Sequence, residues 1–149
     1  MKGQNADRII VNNKRAYHDY FIDEVYECGI VLTGTEIKAI RNGKVSLQDS
    51  FCYIKHHEMF ISGMNISKYE KGNIFNHTPD AVRKLLLHKI EITRLINKTQ
   101  KDGYTLIPTK VYITKGLAKV EIGLAKGKKL YDKREDLKKK SQEMEMKKY

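Results

Sequence analysis

The side chains that could do chemistry in this chain are its histidines and its basic residues. His18 is followed by Asp19, a pairing that could provide a base with an orienting carboxylate. The other histidines are scattered along the chain, at His56, His57, His77 and His88. Acid–base catalysis and metal binding both need several converging groups, and no spacing in the sequence supplies them. The Gly127-Lys128 pair also lacks the glycine spacing of a phosphate-binding loop. The sequence therefore predicts a protein that is not an enzyme and holds no metal ion or cofactor.

A second group of side chains has the composition of an RNA-binding surface. Near the N-terminus, basic and aromatic residues interleave, a composition that suits phosphate contact combined with base stacking. These residues are Lys14, Arg15, Tyr17, His18 and Tyr20. Three further cations lie on or just after a predicted helix: Lys38, Arg41 and Lys44. The alternatives are that each lysine only covers a solvated face and that the aromatic residues pack in the core.

The net charge favours a polyanionic partner. Lysine and arginine total 29 against 18 acidic residues, which gives a net charge of +11. Residues 1–125 carry 19 basic and 13 acidic side chains, and residues 126–149 carry 10 and 5, so both parts are basic. Such a charge is expected to attract nucleic acid, although it could also serve only solubility. A membrane-surface role is the weaker reading, because the C-terminal segment lacks an apolar face that would insert.

Cysteine usage and hydropathy predict a cytoplasmic location. Cys28 and Cys52 both lie in apolar stretches, as expected of reduced thiols in a core, and neither has a partner at metal-ligand spacing. The first 13 residues contain no apolar run of signal-peptide length, and no segment has the length and hydropathy of a membrane span.

Local patterns predict a first half that mixes short strands with one helix. Residues 17–22 and the apolar run at 29–32 are rich in strand formers. Thr33-Gly34-Thr35-Glu36 is a capping box, and Asn42-Gly43 suits a helix end, so a helix is expected over 34–42. Strands at 51–55 and 59–63 should form a hairpin around His56-His57-Glu58.

The second half is predicted to contain a long helix and a longer hairpin. Thr78-Pro79-Asp80 has the composition of a helix start, and the apolar stripe through Val82, Leu86 and Ile90 extends that helix to about Asn97. Residues 104–113 and 117–125 both alternate in hydropathy, and Lys115-Gly116 between them makes a tight turn.

These elements predict a mainly β fold, a small antiparallel OB-like barrel of about six strands with two or three helices. An α+β open sheet is the alternative. Residues 1–129 are expected to form the barrel domain. Residues 130–149 are rich in helix formers but have too few apolar side chains for a core. This tail is therefore expected to be disordered alone and helical on a charged partner.

The order of several long motifs resembles the SmpB family, the SsrA-binding proteins that work with transfer-messenger RNA in bacterial trans-translation. The resemblance covers nearly the whole chain from Asn13. The segments that carry it are Asn13-Lys-Arg-Ala-Tyr-His-Asp-Tyr20, Gly29-Ile-Val-Leu-Thr-Gly-Thr-Glu-Ile-Lys38, Arg41-Asn-Gly-Lys44, Arg83-Lys-Leu-Leu-Leu-His88, Ala118-Lys-Val-Glu-Ile-Gly-Leu-Ala-Lys-Gly-Lys128 and Asp132-Lys-Arg134.

The resemblance implies a fold, a set of partners and a task. It implies an OB-like barrel that binds the tRNA-like domain of transfer-messenger RNA and takes the place of the missing anticodon arm. The tail is implied to enter the empty mRNA channel at the small-subunit decoding centre and to become helical there. Peptide tagging and rescue of the stalled ribosome follow, with elongation factor Tu as a further partner through the charged RNA. The free protein is expected to be a monomer.

The resemblance also assigns roles to individual residues. Glu36, Leu86 and His88 stand at RNA-binding positions, and His88 stands where many relatives have asparagine. Arg83, Lys126 and Lys128 complete the predicted RNA-binding set. The tail residues expected to contact the ribosome are Tyr131, where many relatives have histidine, Asp132, Lys133, Arg134, Lys138, Lys139 and Lys140.

Two alternatives stay open at the level of sequence. The capping box already explains Glu36, so this carboxylate could serve its helix alone and never touch RNA. The whole chain could also be a ribosomal protein whose barrel and tail bind rRNA. An RNA-processing nuclease is the enzyme reading, and it would require cleavage products.

Overall fold

The computed structural model describes residues 8–69 and 76–128, and strands account for nearly half of those residues. The strands are β1 (Arg8–Asn12), β2 (Tyr20–Ile30), β3 (Val45–Ser46), β4 (Phe51–Lys55), β5 (Glu58–Ser62), β6 (Asn65–Ile66), β7 (Arg83–Leu86), β8 (Thr105–Thr114) and β9 (Leu117–Gly127). The helices are α1 (Lys14–Asp19), α2 (Gly34–Arg41) and α3 (Lys89–Lys101).

Six of these strands close into an antiparallel barrel. The main sheet has the order β1-β8-β4-β5-β7-β2-β9, and an additional β8–β9 pairing joins its two sides. Because β8 bonds to β9 on one edge and to β4 and β1 on the other, β1 is an extra strand outside the ring. The predicted mainly β, OB-like barrel is confirmed, and the open-sheet alternative is wrong.

The barrel interior is filled from alternate positions of its strands. Val120, Ile122 and Leu124 of β9 are fully buried, as the alternation of that strand predicts. Two helices add to the same core, α2 through Ile40 and α3 through Leu95, both with no exposed surface. The core therefore fixes α2 and α3 to the barrel through their apolar faces and leaves their polar faces outward.

Three local predictions are confirmed. Helix α2 begins after Thr33, whose side chain accepts the Glu36 amide proton while the Glu36 carboxylate accepts from the Thr33 amide. The β4–β5 hairpin turns through His56 and His57, with φ of 51° and 61°. The β8–β9 hairpin turns at Lys115-Gly116, where both φ angles are again positive. Each element is set by residues a few positions apart, which is why sequence alone identifies it.

The predicted helix over residues 78–97 is wrong in its first half. Thr78-Pro79-Asp80 begins no helix, and Arg83–Leu86 is strand β7, which pairs with β5 and β2. Helix α3 begins only after His88, whose amide donates to the Glu91 carboxylate at 3.1 Å. The supposed apolar stripe is exposed, by 52% at Val82, 49% at Leu86 and 84% at Ile90.

The strand predicted at residues 17–22 begins later than expected. Residues 14–19 form α1, and β2 starts at Tyr20. Helix α1 is held by the Asn13 side chain, which donates to the Pro108 carbonyl at 2.8 Å, and by Ala16, which packs against Ile107 and Ala125. A six-residue helix with one buried residue leaves no periodic signal in the sequence. The predicted tail, residues 130–149, lies outside the described residues.

No helix in the described part of the chain has the length and hydropathy needed to cross a membrane.

Candidate nucleic-acid interface

The predicted RNA-binding residues fall into two groups at opposite ends of the β2–β9 ribbon. In this ribbon Tyr20 lies opposite Gly127, and Gly29 lies opposite Lys119. The nine residue-to-residue steps from Tyr20 to Gly29 separate the two ends by about 30 Å at the usual rise of a strand. We call the first group the exit cluster, because the chain leaves β9 there: Lys14, Arg15, Tyr17, His18, Tyr20, Lys126 and Lys128. We call the second group the helix cluster: Lys38, Arg41, Lys44, Leu86 and His88.

The exit cluster is built where α1 packs beside the end of β9. The Lys128 amide donates to the Asp19 carbonyl at 2.8 Å, and its Nζ donates to the Tyr17 carbonyl at 3.2 Å and lies 4.8 Å from the centre of the Phe21 ring. Lys126 Nζ lies 4.6 Å from the centre of the Tyr104 ring. The other side chains of the cluster are exposed except for the half-buried Tyr20. The cluster therefore presents cations and aromatic faces together, as RNA recognition requires.

The His18–Asp19 pair belongs to this exposed surface. His18 Nδ1 lies 2.8 Å from the Asp19 carboxylate, and the imidazole is 61% exposed. Within the described residues, no group of three or more histidine, cysteine or acidic side chains is placed to hold a metal ion. The two cysteines are buried and unbridged, and burial raises the pKa of both the Cys28 and the Cys52 thiol, which keeps them protonated.

Two residues of the helix cluster, Arg41 and Leu86, line an apolar groove between α2, β2 and the β8–β9 turn. The groove has a volume of about 440 Å³, with Leu86, Ile37 and Leu117 among its walls and Arg41 and Lys119 at its rim. Lys38, Lys44 and His88, the other members of the cluster, are exposed but do not line the groove, and Lys38 Nζ lies 5.6 Å from the centre of the Tyr69 ring. The Arg41 guanidinium donates to the Gly116 carbonyl at 3.2 Å, which holds the helix end beside the turn.

Sequence reasoning missed two residues of this groove, Gly29 and Lys119. A Cβ at Gly29 would lie 3.3 Å from the Leu86 Cβ, so the glycine lets β2 and β7 approach at the groove floor. Lys119 stands opposite Gly29 on β9, which brings its cation to the same place. A glycine interrupting a strand pattern was the available signal, because such a residue often marks a close approach.

A buried ion pair lies beneath the helix cluster. Arg83 and Glu36 are only 4% and 5% exposed, and the Arg83 Nε donates to the Glu36 carboxylate. The remaining guanidinium N–H groups donate to four backbone carbonyls at 3.0–3.1 Å, those of Met64, Thr78, Pro79 and Ala81. Every donor of the guanidinium is therefore used inside the protein.

This geometry corrects the prediction that Arg83 binds RNA. Side chains alternate along β7, so Arg83 and Leu85 point inward while Lys84 and Leu86 point outward. Arg83 has neither exposure nor a free donor with which to contact RNA. Arg83 joins the 78–81 turn to α2. Its contribution to RNA binding would therefore be to hold α2, and the cations on it, in position.

Glu36 has both of its carboxylate oxygens occupied. One accepts from the Thr33 amide at 2.8 Å and the other from Arg83. Burial alone would raise the pKa of Glu36, but the hydrogen bonds from Thr33 and Arg83 and the arginine charge outweigh it and hold that pKa below its ordinary value. The carboxylate is therefore charged at neutral pH. Its capping role is confirmed, and direct RNA contact stays a prediction.

Comparison with known proteins identifies the family. The family model described as "SmpB protein" matches residues 10–149, which include both clusters. The chain belongs to the SmpB family. A relative named SsrA-binding protein, from Geobacillus kaustophilus, is 57% identical over 139 residues, which cover 93% of this chain and 90% of the relative. The SsrA-binding protein of Thermoanaerobacter pseudethanolicus is 56% identical over 142 residues, covering 95% of this chain and 91% of the relative.

The fold is also similar to a solved SmpB structure. That structure is described as "tmRNA-SmpB: a journey to the center of the bacterial ribosome". The similarity has a TM-score of 0.68 with 46% sequence identity, and it covers 85% of this chain and 93% of the other. The family resemblance predicted from the sequence motifs is therefore confirmed.

Proposed function

We propose that this protein is a non-catalytic RNA-binding adaptor, which binds the tRNA-like domain of transfer-messenger RNA and delivers it to stalled ribosomes for trans-translation. The observation that carries the proposal is the near full-length similarity to proteins named SsrA-binding and to a chain from a tmRNA–SmpB structure. Exposed cations on α1 and at the end of β9, and others on and after α2, give the barrel two separate places to meet RNA.

In this proposal the two clusters bind different partners. The helix cluster binds the tRNA-like domain, because its apolar groove beside exposed cations suits a folded RNA with both bases and phosphates to contact. In this role the barrel stands in for the missing anticodon arm. The exit cluster continues into the tail, and both face the ribosome, the tail reading the empty mRNA channel at the decoding centre. The adaptor acts as a monomer, and elongation factor Tu joins it through the charged RNA.

The decisive experiment is sequencing of the RNA that crosslinks to the protein in cells. One small structured RNA should dominate, and the protein should be substoichiometric to ribosomes. Crosslinks mainly to rRNA, together with stoichiometric co-sedimentation with ribosomal subunits under all conditions, would support a ribosomal protein instead.

Leu86→Ala is expected to weaken binding of the tRNA-like domain about tenfold, which corresponds to about 1.4 kcal/mol. Leu86 is 49% exposed at the groove, so removing its side chain takes away contact surface and leaves the core unchanged. The free energy of unfolding should change by less than about 0.5 kcal/mol. Val25→Ala is the matched control, since Val25 is equally exposed on β2 but lies away from the groove. Equal effects of the two variants on affinity would contradict the assignment.

Glu36→Gln is expected to destabilise the fold by about 1–3 kcal/mol at pH 7, because the amide cannot satisfy Arg83 as a carboxylate does. The folded pKa of Glu36 is depressed, so its stabilising effect is fully present above the unfolded pKa of about 4.3 and is lost as pH falls through the lower folded pKa. The difference between wild type and variant should therefore shrink on acidification, as measured by urea unfolding in steps from pH 7 to the lowest pH at which wild type stays folded.

The same variant separates the two roles of Glu36. The expectation is that RNA affinity falls together with stability, since the residue orders the surface around α2. Unchanged affinity in Glu36→Gln, with loss only in a helix-breaking variant such as Ala39→Pro, would show that the carboxylate makes no contact with RNA.

A further inference from the structure

Three aromatic side chains form a row on the outer face of β4 and β5. Phe51, Tyr53 and Lys55 lie on one side of β4, opposite to the buried Cys52. Strand pairing then places Phe60 directly across from Tyr53, and Lys84 of β7 directly across from Phe60. We call this set the aromatic face. It belongs to neither the exit cluster nor the helix cluster.

The rings of the aromatic face contact one another; Phe51 is exposed, and Tyr53 and Phe60 are half-buried. The Tyr53 and Phe60 ring centres lie 5.6 Å apart with planes inclined by 28°, and the Phe51 and Tyr53 centres lie 6.1 Å apart. Phe51 is 48% exposed. Leu86, which is 49% exposed, lies farther along the outer side of β7, beyond Lys84. Grouped aromatic side chains at a protein surface indicate an interaction site.

The charges at the edge of the row favour a nucleic acid over a protein. Lys55 and Lys84 flank the rings, and Glu58, which accepts from Lys84, is the only acidic side chain among the outward-facing residues of β4, β5 and β7. Lysine is depleted at the centre of protein interfaces. Aromatic rings beside lysines are the arrangement that binds unpaired nucleotides, with bases stacked on rings and phosphates near the cations. The net charge of +11 gives the same preference for a polyanion.

We propose that the aromatic face binds an unpaired, single-stranded RNA segment through stacking on Phe51, Tyr53 and Phe60. The faces of bases within a duplex are already stacked, so a helical region cannot use the rings in this way. Strand faces of small barrels of this kind take up oligonucleotides in other proteins. The proposal goes beyond the binding of a folded tRNA-like domain, since its ligand is an unstructured strand.

The absence of tryptophan from the chain allows a direct test. Phe51→Trp places a single tryptophan on the aromatic face, and a base stacked on it quenches its fluorescence. The probe is an eight-nucleotide oligoadenylate. We expect saturable quenching that weakens as salt is raised, and none with a duplex of the same length. Val25→Trp is the control, because Val25 is as exposed as Phe51 but lies across from Gly123 on the opposite part of the barrel.

A second substitution tests the row itself. In the Phe51→Trp background, Tyr53→Ala should weaken oligoadenylate binding about 5- to 10-fold, the effect of losing one stacked ring. Tyr53→Leu keeps an apolar side chain without a stacking face and should show the same loss of binding. It replaces the alanine variant if that variant fails to fold. Circular dichroism confirms that each variant is folded.

Three results would overturn the proposal. They are no quenching of the tryptophan at position 51, equal quenching in the Val25→Trp control, and a fluorescence change that depends on protein concentration without RNA, which would make a second copy of the chain the occupant. None of them bears on binding of the tRNA-like domain, because oligoadenylate has no such fold. Failure here is thus distinguishable from failure of the proposed function.

Discussion

Arg83→Met is expected to lower the free energy of unfolding by about 3–5 kcal/mol, the cost of breaking a buried ion pair from one side. Methionine fills a similar volume, so the loss comes from the charge and its hydrogen bonds. Glu36 would remain buried as an unpaired carboxylate, and four backbone carbonyls would lose their donor. Urea unfolding at pH 7, followed by circular dichroism, measures the change.

Arg94→Met is the matched control for this prediction. Arg94 also bonds a glutamate through its guanidinium, 2.6 Å from a Glu24 carboxylate oxygen, but its side chain is 51% exposed. Surface ion pairs in water contribute little to stability, so the control should unfold at nearly the same urea concentration as wild type. Equal losses of unfolding free energy in the two variants would mean that the buried Arg83–Glu36 pair stabilises the fold no more than the exposed Arg94–Glu24 pair does.

Arg83→Met should also weaken binding of the tRNA-like domain, although the Arg83 side chain is buried. The guanidinium joins the 78–81 turn to α2, and α2 carries Lys38 and Arg41. Without this tie, the surface around the groove loses its fixed geometry. Arg83→Lys separates the two effects of the side chain, because lysine restores one charge but not the five-donor fork.

Sequence patterns predicted the elements whose determinants are local. The Thr33–Glu36 capping box defined the start of α2, and Lys115-Gly116 located the turn of the longest hairpin. In both cases the residues that set the backbone are within four positions of one another. Alternation in β9 also predicted its buried face, since every second residue is apolar.

The elements that sequence patterns missed are set by distant partners. Thr78-Pro79-Asp80 has the composition of a helix start, but the following residues pair with strands β5 and β2 far along the chain. The buried Glu36–Arg83 bond, which joins residues 47 positions apart, is likewise invisible locally. Pairing and burial of this range override local helix propensity.

Long-range burial and pairing were also invisible to sequence patterns at the predicted RNA-binding residues. Apart from Arg83, the cations that the sequence motifs named within the described residues all reach the surface, because basic residues on polar positions remain there. The same motifs placed the buried Arg83 among the RNA-binding cations, because burial of an arginine cannot be recognised from a basic motif alone. The separation of the residues into two clusters about 30 Å apart follows from the β2–β9 register, which only the fold provides.

The described barrel is complete by the end of β9, so we expect the tail, residues 130–149, to be dispensable for the fold. The last strand ends at Gly127, opposite Tyr20, and the Lys128 amide bonds to the Asp19 carbonyl at 2.8 Å. The described core contains no residue beyond Ala125. Residues 130–149 carry seven basic and five acidic side chains, so their net charge is only +2. Their loss would change the electrostatic attraction of the barrel for RNA very little.

Truncation after Lys129 is therefore expected to change the free energy of unfolding by less than about 0.5 kcal/mol, and affinity for the tRNA-like domain by less than about threefold, while abolishing peptide tagging. The physical reason for the last effect is that a lysine-rich helix former needs the counter-charge of an rRNA-lined channel in order to fold there. Binding assays with the isolated RNA and tagging in a reconstituted translation system measure the two outcomes separately.

A scrambled tail with the same composition is the control that isolates the role of sequence. It keeps the charge and the helix formers but separates Asp132, Lys133 and Arg134. If these residues read the channel as a motif, the scrambled chain should tag no better than the truncated one. Normal tagging by the scrambled chain would reduce the tail to a non-specific cationic anchor. Loss of RNA binding on truncation would contradict the division into a barrel that holds the RNA and a tail that engages the ribosome.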